Sequence, residues 1–191
     1  MRRSGRRPGT PDTRTAILEA ARRAFAARGY RATTFRNIAE AAGVDPALLT
    51  HYFGSKEGLF AAALEFPVRP SELFAGLETK TAAEASQFIV RSYFAMVDEP
   101  RARDALLALI RSAVSDERAA ALLREFVAEE LLTLLAQPIR RPDAQLRASL
   151  AAAQLVGIAM LRYVVQISPL AEASNDDLVS LVAPAIEAYL R

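Results

Sequence analysis

The tightest constraint in the chain lies at Gly43–Pro46, where one helix has to stop and another start within four residues. Before that point Thr34 is a good N-cap, and Asn37 stands three residues on, where a capping-box partner reaches back. A helix is therefore expected from Phe35 to about Ala42, with Ile38, Ala39 and Ala42 as its inward face. Gly43 supplies the left-handed backbone of a C-cap, and Val44 is the apolar residue that plugs the turn. Asp45 then caps a second helix, with Pro46 in its first position, where a missing N–H costs nothing. The stretch from Thr33 to Phe60 thus reads as a helix-turn-helix running into the start of another helix.

The second of these helices is short. Leu49 and Phe53, four apart, face the core, which leaves Ala47, Thr50 and His51 outward with Pro46 and Leu48 on the leading edge. Such a face is available to a DNA groove. After Gly54, Ser55 caps the next helix, whose first residues are Lys56 and Glu57. A lysine there opposes the helix dipole, which points to an outside anion such as a phosphate.

The run from Val44 to Leu59 resembles the TetR family of one-component transcriptional repressors. That family has a valine, a short recognition helix ending in a Tyr-x-His-Phe-like tetrad, then Ser/Asn-Lys-Glu/Asp and a leucine. Here the tetrad reads Thr50-His51-Tyr52-Phe53, followed by Ser55-Lys56-Glu57 and Leu59. It departs from the pattern at Thr50, where the family usually has a tyrosine that packs on the DNA backbone, and at Tyr52, where histidine is frequent. Gly29-Tyr30 and Thr33-Thr34 also match a family element. With the capping positions included, the residues expected to touch duplex DNA are Thr34, Asp45, Pro46, Ala47, Leu48, Thr50, His51, Tyr52 and Lys56.

Charge agrees with this placement. Residues 1–66 hold eleven Arg and Lys against six Asp and Glu, whereas residues 67–191 hold thirteen against sixteen, so a basic head precedes an acidic body. Much of the excess comes from Arg2, Arg3, Arg6 and Arg7, a segment with no capacity for a core that either lies along phosphates or merely solubilises. The first helix is expected to begin with Thr10 as cap and Pro11 in first position, to pack through Ile17, Leu18, Ala21, Ala24 and Phe25, and to close at Gly29.

From Phe66 to Pro70 two prolines interrupt the pattern, and the head is expected to end there. Beyond it helical spacing predicts helices at about 81–97, 101–113, 116–137, 143–167 and 176–190, and no alternating β-type run occurs. The fold class expected is all-α, with a head at residues 1–66 and a helical body at 67–191. The stretch from Leu146 to Ile167 is apolar almost all round and carries small residues such as Gly157 and Ala159, so it needs burial on two sides. The last helix is apolar at Leu178, Val179, Leu181, Val182, Ile186 and Leu190, and Pro184 is expected to kink it. The resemblance implies that these two helices pair with their copies in a homodimer; the alternative is a core within one subunit. A membrane span is disfavoured because Gln154, Arg162 and Gln166 interrupt the run.

Composition narrows the chemistry. A chain of 191 residues with no Cys and a single His, His51, has no thiolate site and no histidine pair, so no metal site is expected; no Gly-rich phosphate loop occurs either, and no cofactor is expected. Glu129-Glu130 and Asp176-Asp177 are adjacent, point about 100 degrees apart on a helix and cannot share a proton. No catalytic constellation results, and the chain is not expected to be an enzyme. For a small-molecule effector, Phe88, Tyr93, Phe94, Met96, Phe126, Gln154, Arg162 and Tyr163 are the candidate contacts, with Gln87, Ser92, Ser112 and Thr133 as further inward polar groups. Arg91, Arg111 or Arg162, turned inward, could hold a carboxylate. Without a leader or membrane segment in sight, the cytoplasm is the expected compartment. The reading is a regulator released from a palindromic operator by a small apolar effector, against a DNA-binding architectural protein with no effector.

Overall fold

In the computed structural model, which describes residues 13–64 and 68–191, every regular element is a helix or helical turn. The arginine arm, the expected start of the first helix at Thr10 and Pro11, and Phe66–Pro67 lie outside the described residues. The chain divides into two units, Met1–Glu65 and Phe66–Arg191, each taken by itself below.

The first unit contains α1 (Thr13–Ala32), α2 (Phe35–Ala42), α3 (Pro46–Phe53) and α4 (Lys56–Ala63). Gly29 breaks α1 as expected, with φ 79° and ψ 173°, and one further turn follows to Ala32. A backbone in that region suits only glycine, and it sends Tyr30 into the core. Tyr30 packs with Phe25 and Phe60 in a three-ring cluster, with centroids 4.9 to 5.8 Å apart and both contacts to Phe60 edge-on. Ile17, Ala21, Ile38, Ala39, Leu49, Phe53 and Leu59 complete the core, while Leu18, Ala24 and Ala42 are half-buried. Buried Thr33 places its hydroxyl 2.7 Å from the Gly29 carbonyl and 3.2 Å from that of Ala24, covering oxygens near the break. Arg22 donates from Nε to the Ala63 carbonyl at 2.7 Å, tying the end of α4 to α1.

The second unit contains α5 (Pro70–Leu73), α6 (Ala82–Asp98), α7 (Pro100–Ser115), α8 (Glu117–Phe126), α9 (Leu132–Ala136), α10 (Ala144–Ala159) and α11 (Asn175–Leu190). All five helices expected from spacing are present with ends shifted by a residue or two. Two π-helical turns were not anticipated: Val127–Leu131 joins α8 to α9, and Met160–Val165 extends α10. Capping boxes start α6 at Thr81/Glu84 and α11 at Ser174/Asp177, and their hydrogen bonds hold both acid groups below the usual carboxylate range. The core forms where α6, through Ala85, Ile89, Phe94 and Val97, meets Leu178, Val182 and Ile186 of α11, with Ala148, Ala151, Leu155 and Ala159 of α10 alongside. α11 runs through Pro184 as one continuous helix.

Candidate functional site

The turn between α2 and α3 is built as its residues require. Gly43 is left-handed (φ 68°, ψ 36°), and the Val44 N–H donates to the Ala39 carbonyl at 3.0 Å. Asp45 caps α3 by accepting from the Ala47 N–H at 2.7 Å, and Leu49 and Phe53 are buried. Their burial fixes the rotation of α3. Pro46, Ala47, Thr50, His51 and Tyr52 are consequently exposed, with Leu48 half-buried and His51 edge-on to Tyr52. Ala47, Thr50 and His51 are outward as spacing implies, with Pro46 and Leu48 at the leading edge, and Tyr52 is exposed beside them.

Two candidates at its rim carry structural duties. The Thr34 hydroxyl accepts from the Asn37 N–H at 3.3 Å and donates to Asn37 Oδ1 at 2.8 Å, so it is committed to capping α2. Asn37 reaches the side chain of Thr34 and not its backbone. Lys56 is half-buried; its Nζ donates to the Arg31 carbonyl at 3.2 Å and sits 4.3 Å from the centre of the Tyr30 ring. It bridges the start of α4 to the end of α1. Three N–H donors on an ammonium still leave capacity for a phosphate.

In the second unit the candidate effector contacts separate. Phe94 is fully buried and edge-on to Tyr93, a plain core position, and Met96 and Phe126 are buried as well. Phe88 is half-buried beneath the Lys80 ammonium, 4.8 Å from its ring centre. Gln87, Ser112 and Thr133 are exposed, which corrects the expectation that they face inward, while Ser92 is half-buried. Three others converge on one property. Among the described residues, the Tyr93 hydroxyl, Gln154 Oε1 and Arg162 Nε are the buried side-chain polar atoms with no hydrogen-bond partner. Burial of an unpaired polar atom costs about 1–3 kcal/mol, so such atoms call for an explanation.

Arg162 also belongs to a polar network that spans α6, the π-turn after α10 and α11. Tyr163 donates its hydroxyl to Asp98, whose other oxygen accepts from Asn175 Nδ2 at 2.6 Å, and Asn175 Oδ1 accepts from Arg162 at 3.3 Å. The guanidinium groups of Arg103 and Arg162 lie 5.3 and 5.2 Å from the centre of the Tyr163 ring. Burial and the Asp98 bond push the Tyr163 phenol up to about 12, and burial raises Tyr93 further. Both tyrosines stay neutral donors at physiological pH. Asp176, by contrast, is in an exposed ion pair with Arg91 at 3.0 Å, and no cluster of three metal-ligating side chains occurs among the described residues.

A second feature is an uncovered apolar stripe. Leu146, Leu150, Ala153, Gly157, Leu161 and Val164, spaced three or four apart, are all exposed along α10 and its π-turn, and a Cβ added at Gly157 would meet nothing within 4 Å. Only 22% of the most apolar window of Ala144–Val165 is buried within the subunit. On α11, Asp177, Leu181, Pro184 and Ala188 are also exposed, spaced three or four apart, and Leu181 is 77% exposed. Leu178, Val179, Val182, Ile186 and Leu190 instead fill the subunit's own core.

Comparison with known proteins adds to this geometry. Residues 17–63 match the family described as bacterial regulatory proteins, tetR family, and residues 83–190 match the tetracyclin repressor-like C-terminal domain. The chain is 32% identical over 188 residues to the HTH-type transcriptional regulator BetI of Rhizobium meliloti, covering 95% of this chain and 91% of that protein. A 44% identical stretch of 63 residues, 32% of this chain and 34% of its relative, is shared with the HTH-type transcriptional repressor AcnR of Corynebacterium glutamicum. The crystal structure of a TetR-family regulator from Streptomyces coelicolor A3 is 40% identical, with a TM-score of 0.54 over 98% of this chain and 99% of that one.

Proposed function

This chain belongs to the TetR family of transcriptional regulators, and on that premise we propose that it is a homodimeric repressor, released from a palindromic operator by a small apolar effector. The observation that carries the DNA reading is the rotation of α3. Burial of Leu49 and Phe53 leaves Pro46, Ala47, Thr50, His51 and Tyr52 free to meet base edges and sugar-phosphate in a major groove. Lys56 supplies a phosphate contact with its remaining donors, and Thr34 and Asp45 act at one remove by capping α2 and α3.

The exposed stripe of α10 and the row around Leu181 support dimerisation through the last two helices. A helix with most of its apolar surface outside its own core needs a cover, and a second copy supplies the same surface in return. By length and composition alone, Ala144–Val165 also meets the requirement for a membrane span, with a mean hydropathy of 1.6. Two arginines inside it favour the dimer. Arg147 pairs with Asp143 at 2.9 Å and donates to carbonyls at the end of α11, while Arg162 bonds Asn175. The working compartment is then the cytoplasm, with DNA and effector as partners and no catalytic step.

The unpaired Tyr93, Gln154 and Arg162 atoms favour an effector-responsive regulator over an architectural DNA-binding protein, because they offer a small molecule hydrogen bonds that the protein leaves unmade. Binding to one conformer more tightly than another shifts the spacing of the two heads, and the operator is released. A two-fold dimer reads two equal half-sites, so a full palindromic site is expected to bind far more tightly than a single half-site on DNA of the same length. Fluorescence anisotropy with purified protein decides this. Equal affinity for both duplexes would remove the dimeric reading.

A further inference from the structure

Of the three arginines that the sequence offers for an inward role, Arg91 is in an exposed ion pair with Asp176, and Arg111 is exposed, its Nε on the Leu107 carbonyl at 3.3 Å. Arg162 alone turns in. Its guanidinium is half-buried, makes no ion pair with any carboxylate among the described residues, and leaves Nε buried and unbonded. The one acceptor it has is the neutral amide of Asn175, and the Asp98 carboxylate accepts from Tyr163 and Asn175 and not from Arg162. With Arg103 also on the Tyr163 ring, two guanidinium groups share this network with one carboxylate. A half-buried cation with no carboxylate directly paired to it is costly, and an anion is the natural remedy.

The geometry points to an effector that carries a carboxylate on an apolar body, its head group taken by Arg162 Nε and the Tyr93 hydroxyl. This rests on the effector reading above and names the class of that ligand. Tyr93 comes from α6, which contacts α10, and it is 7% exposed with an unpaired O–H to donate. Gln154, two turns before Arg162 on α10, adds an unpaired amide oxygen that fits a hydroxyl or amide N–H further along the ligand. The π-turn at Met160–Val165 is what places Arg162 and Tyr163, and π-turns recur at functional sites because the extra residue re-aims side chains. A carboxylate on Nε leaves the bond from Arg162 to Asn175 intact, so the ligand adds to the network without dismantling it.

Calorimetry on the full chain tests this with a panel of alkyl and aryl carboxylates, each paired with its primary amide, and operator affinity is measured for each compound. At least one acid is expected to bind, with its amide weaker by about ten- to a hundred-fold, the value of a charge-assisted hydrogen bond. Arg162→Gln is expected to erase that preference and Arg91→Gln to leave it. Tyr93→Phe should weaken the acid several-fold without lowering the melting temperature, since the hydroxyl it removes has no partner in the protein. It therefore keeps the test valid even if Arg162→Gln does not fold. Acid and amide binding equally, or a preference that survives Arg162→Gln, overturns the inference. If amides release the operator as well as acids do, the effector reading stands and the carboxylate falls; if neither kind of compound binds to protein that holds its operator normally, both fall.

Discussion

Leu181→Asp is expected to split the dimer into folded monomers with little operator affinity, whereas Val182→Asp next to it is expected to unfold the second unit. The two positions differ only in where α11 points them. Leu181 is 77% exposed in the subunit and Val182 is 8% exposed among residues of α6 and α10. An unpaired carboxylate in an apolar seam costs on the order of several kcal/mol, and a two-fold interface takes it twice. Gly157→Glu belongs with Leu181→Asp, because Gly157 is exposed and a Cβ added there meets nothing within 4 Å. Sedimentation combined with circular dichroism reads both quantities. A Leu181→Asp protein that remains dimeric would move the interface off this row.

Phe60→Ala is expected to unfold the first unit and abolish DNA binding while the second unit stays folded and dimeric. Phe60 is 1% exposed and makes edge contacts at 4.9 Å to both Phe25 and Tyr30, so its ring is the centre of that core. Removal of a buried phenyl ring costs about 3–5 kcal/mol. A unit of this size has only a few to about ten kcal/mol in total, so the loss approaches all of it. Hydrogen exchange should show residues 13–64 unprotected and residues 68–191 unchanged. Protection retained in the first unit would mean that its core does not depend on the ring cluster.

What was legible in the sequence and what was not follow from the range of the forces involved. Gly43, Asp45 and Pro46 were readable because a cap and a left-handed turn are decided within four residues, and the exposed face of α3 then followed from Leu49 and Phe53. Placement of the five long helical stretches in the second unit followed from prolines and caps in the same way, whereas the short α5 and the π-turn that separates α8 from α9 did not. Rotation about a helix axis was harder wherever apolar residues lie on more than one side. Nothing local separates Val182, which fills the subunit core, from Leu181, which faces away, or marks Ser112 and Thr133 as outward. Lys56 was read from its place at the head of α4, but its carbonyl acceptor is Arg31, contributed by α1. The π-turn that aims Arg162 depends on packing across the bundle and has no signature in the residues that form it. Arg162 could be suspected because it stands in the most apolar helix; that it lacks a carboxylate partner was visible only in three dimensions.

The most direct test of the central claim, that α3 reads an operator in two symmetric half-sites, is selection of binding sites from random duplex DNA with wild-type protein and with Thr50, His51 and Lys56 variants. A palindromic wild-type consensus is expected, altered at symmetric positions in both halves by Thr50 and His51 substitutions. Lys56→Ala should keep the consensus, weaken all sites alike, and reduce the salt dependence by about one counterion per subunit. An asymmetric consensus, or one that Thr50 and His51 variants leave unchanged while Lys56→Ala rewrites it, would mean that α3 does not read the operator in two symmetric half-sites.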